Sequence, residues 1–230
     1  TPGLAEELRR QIEMLETVVI TDEEVRFMRR RCRYIPSWFY SYLKGFRYDR
    51  RWVTVSQDSC GHLRIEFEGT WSNTIRVGVK VLAIVSELYY MMTGEDRSFD
   101  YDAYYRKSWD KAKKMIEAGC YFSDFGTRRR ASFQAQDTAI KPMKECGSTI
   151  GGRGTFIGTS NVYFAMKYDL TPVGTMAHDL ICAIAGMYGP QMANHLAMKT
   201  WASTYRGALG TFLYDTYGWR IFSLNFSEDF

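Results

Sequence analysis

The feature that most constrains the fold is a change of rhythm after Gly119. Beyond it, short runs of apolar or small residues are each followed by a polar turn and then by a helical pattern. Such a repeat is typical of parallel strands with helical crossovers, so we predict an α/β fold. The candidate strands are 120–125, 155–158, 171–174 and 209–214, and the candidate helices lie near 131–145, 161–168, 177–188 and 191–205. Periodicity alone does not decide between a barrel, of which about half would be present, and an open sheet.

The first half of the chain follows a different pattern. Apolar residues recur at helical spacing between residues 4 and 15, and Thr21 with Glu24 forms a capping box that starts a second helix. Pro36 belongs to the first turn of a short, aromatic-rich helix that ends at Gly45, because its missing N–H costs nothing there. These signals predict a helical start to the chain.

A hairpin and longer helices complete this first region. Leu63, Ile65 and Phe67 alternate with charged residues after a turn at 58–61, as a half-buried hairpin requires. Two helical patterns follow, each ending at a glycine: 74–93 and 101–118. The sequence therefore divides near residues 118–119 into an α+β domain, 1–118, and the first half of an α/β barrel domain, 119–230.

Composition excludes several classes of protein. With 46% hydrophobic and 24% charged residues, the 230-residue chain is composed like a folded domain. Its net charge of +4 is too small to favour a nucleic-acid or acidic-membrane partner. The longest apolar stretch is interrupted by Lys80 and Glu87, so we expect no membrane span. Five cysteines without a CxxC pair favour free thiols in a reducing compartment, and we predict a cytoplasmic protein.

The loops that follow the candidate strands carry the chemistry, since ligands of α/β folds bind beyond the carboxyl ends of strands. The first loop, 124–130, has a glycine for a tight turn and three consecutive arginines. Arginine at a helix start suits phosphate or carboxylate. We expect one arginine to bind ligand while the others are solvated or paired with acids; a merely basic helix start is an equally weighted alternative.

The later loops add smaller signals. The second loop, 158–161, has glycine and hydroxyl residues that are also ordinary turn and N-cap chemistry. The third places His178 at the start of a helix directly after a strand, where an imidazole can act as base, phosphate acceptor or ligand. Asp215, in the fourth, is a carboxylate that could orient His178. The remaining histidines, His62 and His195, have no spacing that would build a metal site with His178, so we predict none.

Three segments taken together resemble a known family. Asp124-Phe-Gly-Thr-Arg-Arg-Arg130, Gly158-Thr-Ser-Asn161 and Leu170-Thr-Pro-Val-Gly-Thr-Met-Ala-His178 resemble, in order and spacing, the motif series of nicotinate phosphoribosyltransferases. The resemblance implies the type II phosphoribosyltransferase fold: an irregular α/β barrel, here partial, preceded by an α+β domain. It also implies a head-to-tail homodimer with shared active sites.

The resemblance implies an enzyme of NAD biosynthesis. Nicotinate, phosphoribosyl pyrophosphate and Mg²⁺ would react to give nicotinate mononucleotide and pyrophosphate, with ATP hydrolysis coupled through a phosphohistidine. By matching positions, His178 would be that histidine and Asp215 its acidic partner. Phe125 would stack on the pyridine ring, Arg128 would contact phosphate or the pyridine substrate, and Thr175 would line the nicotinate pocket.

Ser160 bears on the choice of substrate. The related nicotinamide-specific enzyme has an aspartate at the matching position, and a carboxylate there would repel nicotinate, so the neutral serine favours the acid. The nicotinamide-specific enzyme is one alternative, and a non-catalytic binding or scaffold fragment is another.

Some segments of the family are absent from this sequence. They are the early Thr-Asp-x-Tyr-Lys segment and the later His-Asp-Ser-Gly-Asp and glycine-rich phosphate loops. We therefore expect that the chain lacks segments at both ends and is inactive by itself, while the parent protein is an active enzyme.

Overall fold

The computed structural model describes residues 1–226 and divides into two compact units, which are Thr1–Pro172 and Val173–Phe230. Helices of the first unit are α1 Leu4–Leu15, α2 Asp22–Arg31, α3 Ser37–Gly45, α4 Trp71–Thr93, α5 Tyr101–Glu117, α6 Phe133–Thr149 and α7 Val162–Tyr168. Its strands are β1 Val53–Gln57, β2 Leu63–Phe67, β3 Tyr121–Asp124, β4 Thr155–Thr159 and β5 Thr171–Pro172. The second unit contains α8 His178–Tyr188, α9 Pro190–Tyr205 and α10 Trp219–Asn225. The domain boundary near residues 118–119 stays a prediction.

The structure confirms the helices predicted at the start of the chain, and only the position of Pro36 differs from the prediction. Thr21 Oγ1 accepts the Glu24 N–H at 3.2 Å, and the Glu24 carboxylate accepts the Thr21 N–H at 2.7 Å, which completes the capping box of α2. Pro36 is the N-cap of α3 and not a member of its first turn, because its ψ of 149° is extended. The helix itself ends at Gly45 as predicted.

The predicted hairpin is confirmed. Strands β1 and β2 pair antiparallel with Val55 opposite Ile65, and the turn closes through the Asp58 N–H, which donates to the His62 carbonyl at 3.1 Å. The inward face of the hairpin packs on α1 and α4 around Leu8 and Val81, both of which are fully buried. Because successive side chains of a strand point to opposite faces, the alternation of apolar and charged residues gives a sheet with one face packed on the core and one face in solvent.

A parallel sheet confirms the α/β class. Its strands run in the order β3, β4, β5, and α6 and α7 form the crossovers. Helices α2, α3, α6 and α7 cover it through a core in which Ile140 and Phe164 are completely buried. Within residues 1–226 the sheet is open and no barrel closes. The carboxyl ends of β3 and β4 consequently lie side by side, so the loops that follow them are neighbours.

The second unit is helical. Helices α8 and α9 pack against each other around Met176, Ile181 and Ala197. The predicted strand at 209–214 is wrong. The Leu209 carbonyl accepts the indole N–H of Trp201 at 2.6 Å. Among residues 1–226, the backbone of this segment makes a single hydrogen bond to a distant segment, from the Met176 N–H to the Thr211 carbonyl at 3.2 Å. One such bond is not the ladder that a strand requires.

No helix in the part of the chain that the structure describes combines the length and the apolarity needed to cross a bilayer.

Candidate functional site

The loop after β3 is held by the last residue of that strand. Asp124 Oδ1 accepts the Gly126 N–H at 3.0 Å, which folds the chain back at once. A short 3-10 turn at Thr127–Arg129 follows. Phe125 remains 46% exposed, so its ring is available for stacking on a planar ligand. The structure thus presents Phe125 at the carboxyl end of a parallel strand, where the sequence placed it.

The three consecutive arginines have different environments. Arg130 lies over the Phe133 ring at 5.2 Å, donates to Gln136 Oε1 at 3.2 Å and lies 3.6 Å from the Glu87 carboxylate. Burial lowers the pKa of the Arg130 guanidinium, and the negative charge of Glu87 opposes that shift. Arg130 therefore packs the loop against α4.

The other two arginines face solvent. Arg128 and Arg129 are exposed, and neither has a hydrogen bond or an ion pair from its side chain to another of residues 1–226. Their guanidinium forks remain open to a phosphate or a carboxylate. The structure thus separates one structural arginine from two that can contact ligand, and Arg128 is the one nearer to Phe125 in sequence.

The loop after β4 lies next to this arginine loop. The Ser160 N–H donates to the Asp124 carbonyl at 2.9 Å, so Ser160 stands directly beside the end of β3. Its side chain is half-buried, and its hydroxyl has no hydrogen-bond partner among the described residues. Asn161 caps α7 by accepting the Phe164 N–H at 3.3 Å, while its amide donates to Thr127 Oγ1 at 3.0 Å. Parallel pairing has therefore brought Phe125, Arg128 and Ser160 to one edge.

Two buried polar residues beneath these loops were not predicted from the sequence. Gln136 is 4% exposed and Thr159 is fully buried. Both donate to Asp124 Oδ2, at 2.8 Å from Gln136 Nε2 and 2.7 Å from Thr159 Oγ1. One available signal was the position of Gln136 on the apolar face of α6, between Ala135 and Ala139. A buried amide needs partners, and that need points toward the nearest polar loop.

In the second unit, His178 and Asp215 form a pair. His178 is the first residue of α8, and its Nε2 lies 2.8 Å from Asp215 Oδ1. Both side chains are partly exposed, at 47% and 64%. The hydrogen bond from His178 lowers the pKa of the Asp215 carboxyl, and the Asp215 backbone N–H lowers it further. The sequence could not show whether His178 and Asp215 are in contact, and in the structure they are.

This pair has a defined chemical capability. When the neutral imidazole donates its Nε2–H to the Asp215 carboxylate, the lone pair is left on Nδ1. An oriented imidazole of that tautomer is a nucleophile for a phosphoryl group, and the carboxylate stabilises the cation that forms.

Thr175 lies in the loop before α8, half-buried, next to Met176, whose side chain is fully buried and anchors that loop.

The described residues contain no cluster of three or more histidine, cysteine, aspartate or glutamate side chains arranged to hold a metal ion.

Sequence comparison matches the chain to two models of one family. The model described as the N-terminal domain of nicotinate phosphoribosyltransferase (NAPRTase) matches residues 2–86, and the model described as the nicotinate phosphoribosyltransferase (NAPRTase) family matches residues 120–230. Among curated proteins, a probable nicotinate phosphoribosyltransferase of Schizosaccharomyces pombe is 34% identical over 96% of this chain and 54% of its own length. A nicotinate phosphoribosyltransferase of Chromohalobacter salexigens is 34% identical over 100% of this chain and 57% of its own length.

Solved structures give the same result. A nicotinate phosphoribosyltransferase from Porphyromonas gingivalis superposes with a TM-score of 0.88 at 35% identity, over 100% of this chain and 57% of the other. A putative nicotinate phosphoribosyltransferase from Saccharomyces cerevisiae superposes with a TM-score of 0.85 at 28% identity, over 99% of this chain and 57% of the other. The chain therefore spans a little over half the length of the relatives that it matches, 54% to 57%.

Proposed function

Because this chain belongs to the nicotinate phosphoribosyltransferase family, we propose that the protein forms nicotinate mononucleotide and pyrophosphate from nicotinate and phosphoribosyl pyrophosphate, with coupled hydrolysis of ATP. The hydrogen bond of 2.8 Å between His178 and Asp215 carries the proposal. A binding or scaffold protein has no need of an imidazole oriented as a nucleophile.

The phosphoryl transfer uses the pair as follows. Asp215 holds the Nε2–H of His178, so Nδ1 attacks the γ-phosphorus of ATP, a P–N bond forms and the bond to the leaving ADP oxygen breaks. The imidazole becomes cationic at that moment, and the nearby carboxylate stabilises it. Water later cleaves the P–N bond and releases phosphate. The energy of ATP hydrolysis is thereby coupled through one side chain.

The substrate contacts come from the loops. Phe125 stacks on the pyridine ring, and Arg128 contacts a phosphate or the nicotinate carboxylate with its open guanidinium. Thr175 contributes a further nicotinate contact. Exposure of Phe125 and the absence of any partner for Arg128 among the described side chains support these roles.

The neutral Ser160 favours nicotinate over nicotinamide. Nicotinate carries a negative charge, and a carboxylate at this half-buried position would bring two like charges together. The free hydroxyl can instead donate a hydrogen bond to the substrate carboxylate. The substrate is therefore the acid.

Magnesium enters with the substrates. Mg²⁺ keeps most of its water and is commonly bound through substrate phosphates. We propose that it accompanies phosphoribosyl pyrophosphate and ATP as a complex. We further propose that the protein works in the cytoplasm as a homodimer with small-molecule substrates only.

The test is product formation by the full-length gene product from nicotinate, phosphoribosyl pyrophosphate and Mg²⁺, with and without ATP. We expect nicotinate mononucleotide, stimulated by ATP, and we expect His178→Ala to lose the stimulation while it retains basal product. His62→Ala is the matched control, because His62 also pairs with an aspartate, Asp58, at 2.9 Å but lies in the hairpin turn. A well-folded wild type that makes no product rules the function out and leaves the binding or scaffold alternative. Faster use of nicotinamide supports the nicotinamide-specific one.

A further inference from the structure

We propose that Asp124 is the positioning residue that holds the two substrate-binding loops in a fixed relation to each other. The inference rests on the proposed function, since the loops after β3 and β4 carry Phe125, Arg128 and Ser160. It adds a residue to which neither the sequence motifs nor the reaction assigned a role.

Asp124 connects three segments through one carboxylate. Its Oδ1 accepts the Gly126 N–H at 3.0 Å, inside its own loop. Its Oδ2 accepts from Thr159 Oγ1 at 2.7 Å, at the end of β4, and from Gln136 Nε2 at 2.8 Å, on α6. The Asp124 carbonyl also accepts the Ser160 N–H at 2.9 Å. One residue thus bonds both loops and the helix behind them.

A second layer of hydrogen bonds closes the network. Thr127 Oγ1 accepts from Gln136 Nε2 and from Asn161 Nδ2, both at 3.0 Å. Gln136 Oε1 accepts from Arg130 Nη1 at 3.2 Å. Asp124 and Thr127 therefore join the arginine loop to the Ser160 loop, and Gln136 connects that same arginine loop to α6.

Burial makes the network specific. Thr159 is fully buried and Gln136 is 4% exposed, so water cannot replace a bond that is lost. The polarity is also fixed, because a carboxylate only accepts and both partners at Oδ2 donate. Gly126 fits this arrangement, since a Cβ there would lie 2.9 Å from Asp124 Oδ1. Any substituent at position 126 would push the carboxylate away.

Asp124→Asn tests the polarity at nearly constant shape. In this variant the side chain at position 124 can still accept the Gly126 N–H only if its NH₂ group takes the place of Oδ2. That NH₂ group then faces the Gln136 NH₂ group, and two donors cannot form a hydrogen bond with each other. The double variant Asp124→Asn/Gln136→Glu exchanges donor and acceptor and conserves the net charge, so it should restore the pair. Thr159→Val removes the bond to Asp124 and also the bond that Thr159 Oγ1 accepts from the Asn161 N–H at 3.1 Å, whereas Thr159→Ser keeps both.

The first readout does not depend on activity. We expect hydrogen exchange of the Gly126, Ser160 and Asn161 amides to accelerate about tenfold or more in Asp124→Asn, and to return toward the wild-type rate in the double variant. Tyr168→Phe is the stability control, because it also removes a hydrogen bond to a carboxylate, at 2.8 Å from Asp137, but lies outside the network. Its exchange at the three amides should stay at the wild-type rate.

The second readout is kinetic. A misplaced loop binds substrate poorly, so we expect the KM for nicotinate to rise about tenfold in Asp124→Asn, with a smaller change in kcat and with recovery in the double variant. Wild-type exchange rates in Asp124→Asn, or a KM no higher than in Tyr168→Phe, overturn the inference. If Asp124→Asn does not fold, Thr159→Val against Thr159→Ser decides by the exchange of the Gly126 and Ser160 amides and by the KM, because the Asn161 N–H donates to the Thr159 hydroxyl directly. Loss of all product in the wild type refutes the proposed function instead, and the exchange rates still decide whether Asp124 holds the loops.

Discussion

His178 Nε2 lies 2.8 Å from Asp215 Oδ1, although the two residues are 37 positions apart. The contact joins the first turn of α8 to the turn that precedes α10. A partly exposed pair of this kind contributes little to stability, because water competes for both partners. Its consequence is chemical: the carboxylate selects the tautomer that leaves Nδ1 able to accept a phosphoryl group.

The Asp215 carboxyl should titrate at higher pH in His178→Ala than in the wild type, since the hydrogen bond from His178 is the largest cause of its lowered pKa. A lowered folded-state pKa stabilises the protein above the unfolded value of about 3.9, and the stabilisation is lost as the pH falls through the folded pKa. Carbon-detected NMR of the side-chain carboxyl measures both midpoints.

Asp58 provides the control for that titration. Its pKa is also lowered, but the largest cause is the backbone N–H of His62, with the imidazole second. Because His62→Ala retains the backbone donor, the Asp58 midpoint should move less than the Asp215 midpoint moves in His178→Ala. An Asp215 midpoint that does not change would show that the pair does not form in solution.

Ser160→Asp should lower kcat/KM for nicotinate about tenfold or more, which corresponds to about 1.4 kcal/mol, because it places a carboxylate beside the substrate carboxylate. Nicotinamide use should fall less, so the ratio of the two kcat/KM values reports the effect. Ser160→Asn introduces a side chain of nearly the same size as aspartate but without the charge, and it serves as the control. An equal loss for both substrates contradicts a role of Ser160 in selectivity.

Local sequence signals predicted most elements of the fold. Caps and periodicity depend on neighbours a few residues away, so α1, the capping box of Thr21 and Glu24, and the hairpin could be read directly. The strand at 209–214 failed because its composition suits a strand, while pairing depends on a partner elsewhere in the chain. The Leu209 carbonyl instead accepts a hydrogen bond from the indole N–H of Trp201.

The candidate site could be predicted only in part. The motif order located the loops of Phe125 and Ser160, but it could not tell which of three arginines is buried. That difference arises from Glu87 and Phe133, on α4 and α6, and from their distance to Arg130 in space. The hydrogen bonds of Asp124 could not be predicted either, because they join three segments that are distant in sequence.

Thr21→Ala should destabilise the protein by about 1 kcal/mol, because it removes the side-chain acceptor for the Glu24 N–H at the start of α2. Thr21→Ser keeps the hydroxyl and should stay close to the wild type. Urea unfolding followed by circular dichroism measures the difference. If the alanine and serine variants unfold at the same urea concentration, the capping box does not contribute to stability.

Two glycines should respond to alanine in opposite directions. Gly158 faces Thr171 across the parallel β4–β5 pair, and a Cβ at Gly158 would lie 2.0 Å from the Thr171 carbonyl oxygen. Backbone cannot move aside as a flexible side chain can, so Gly158→Ala should separate the strands and lower the Tm. Gly78 lies within α4 with open space at its Cβ position, and Gly78→Ala should stabilise the helix by about 0.5–1 kcal/mol.

Thermal unfolding of the two variants and the wild type distinguishes close packing from helix propensity. The same methyl group is added in both variants, so a difference in the sign of the Tm change must come from the surroundings of the glycine. A Gly158→Ala variant as stable as the wild type would mean that β5 does not pair tightly with β4. The parallel sheet that presents Ser160 beside Asp124 would then lack its third strand, and the position of the Ser160 loop would depend on β3 alone.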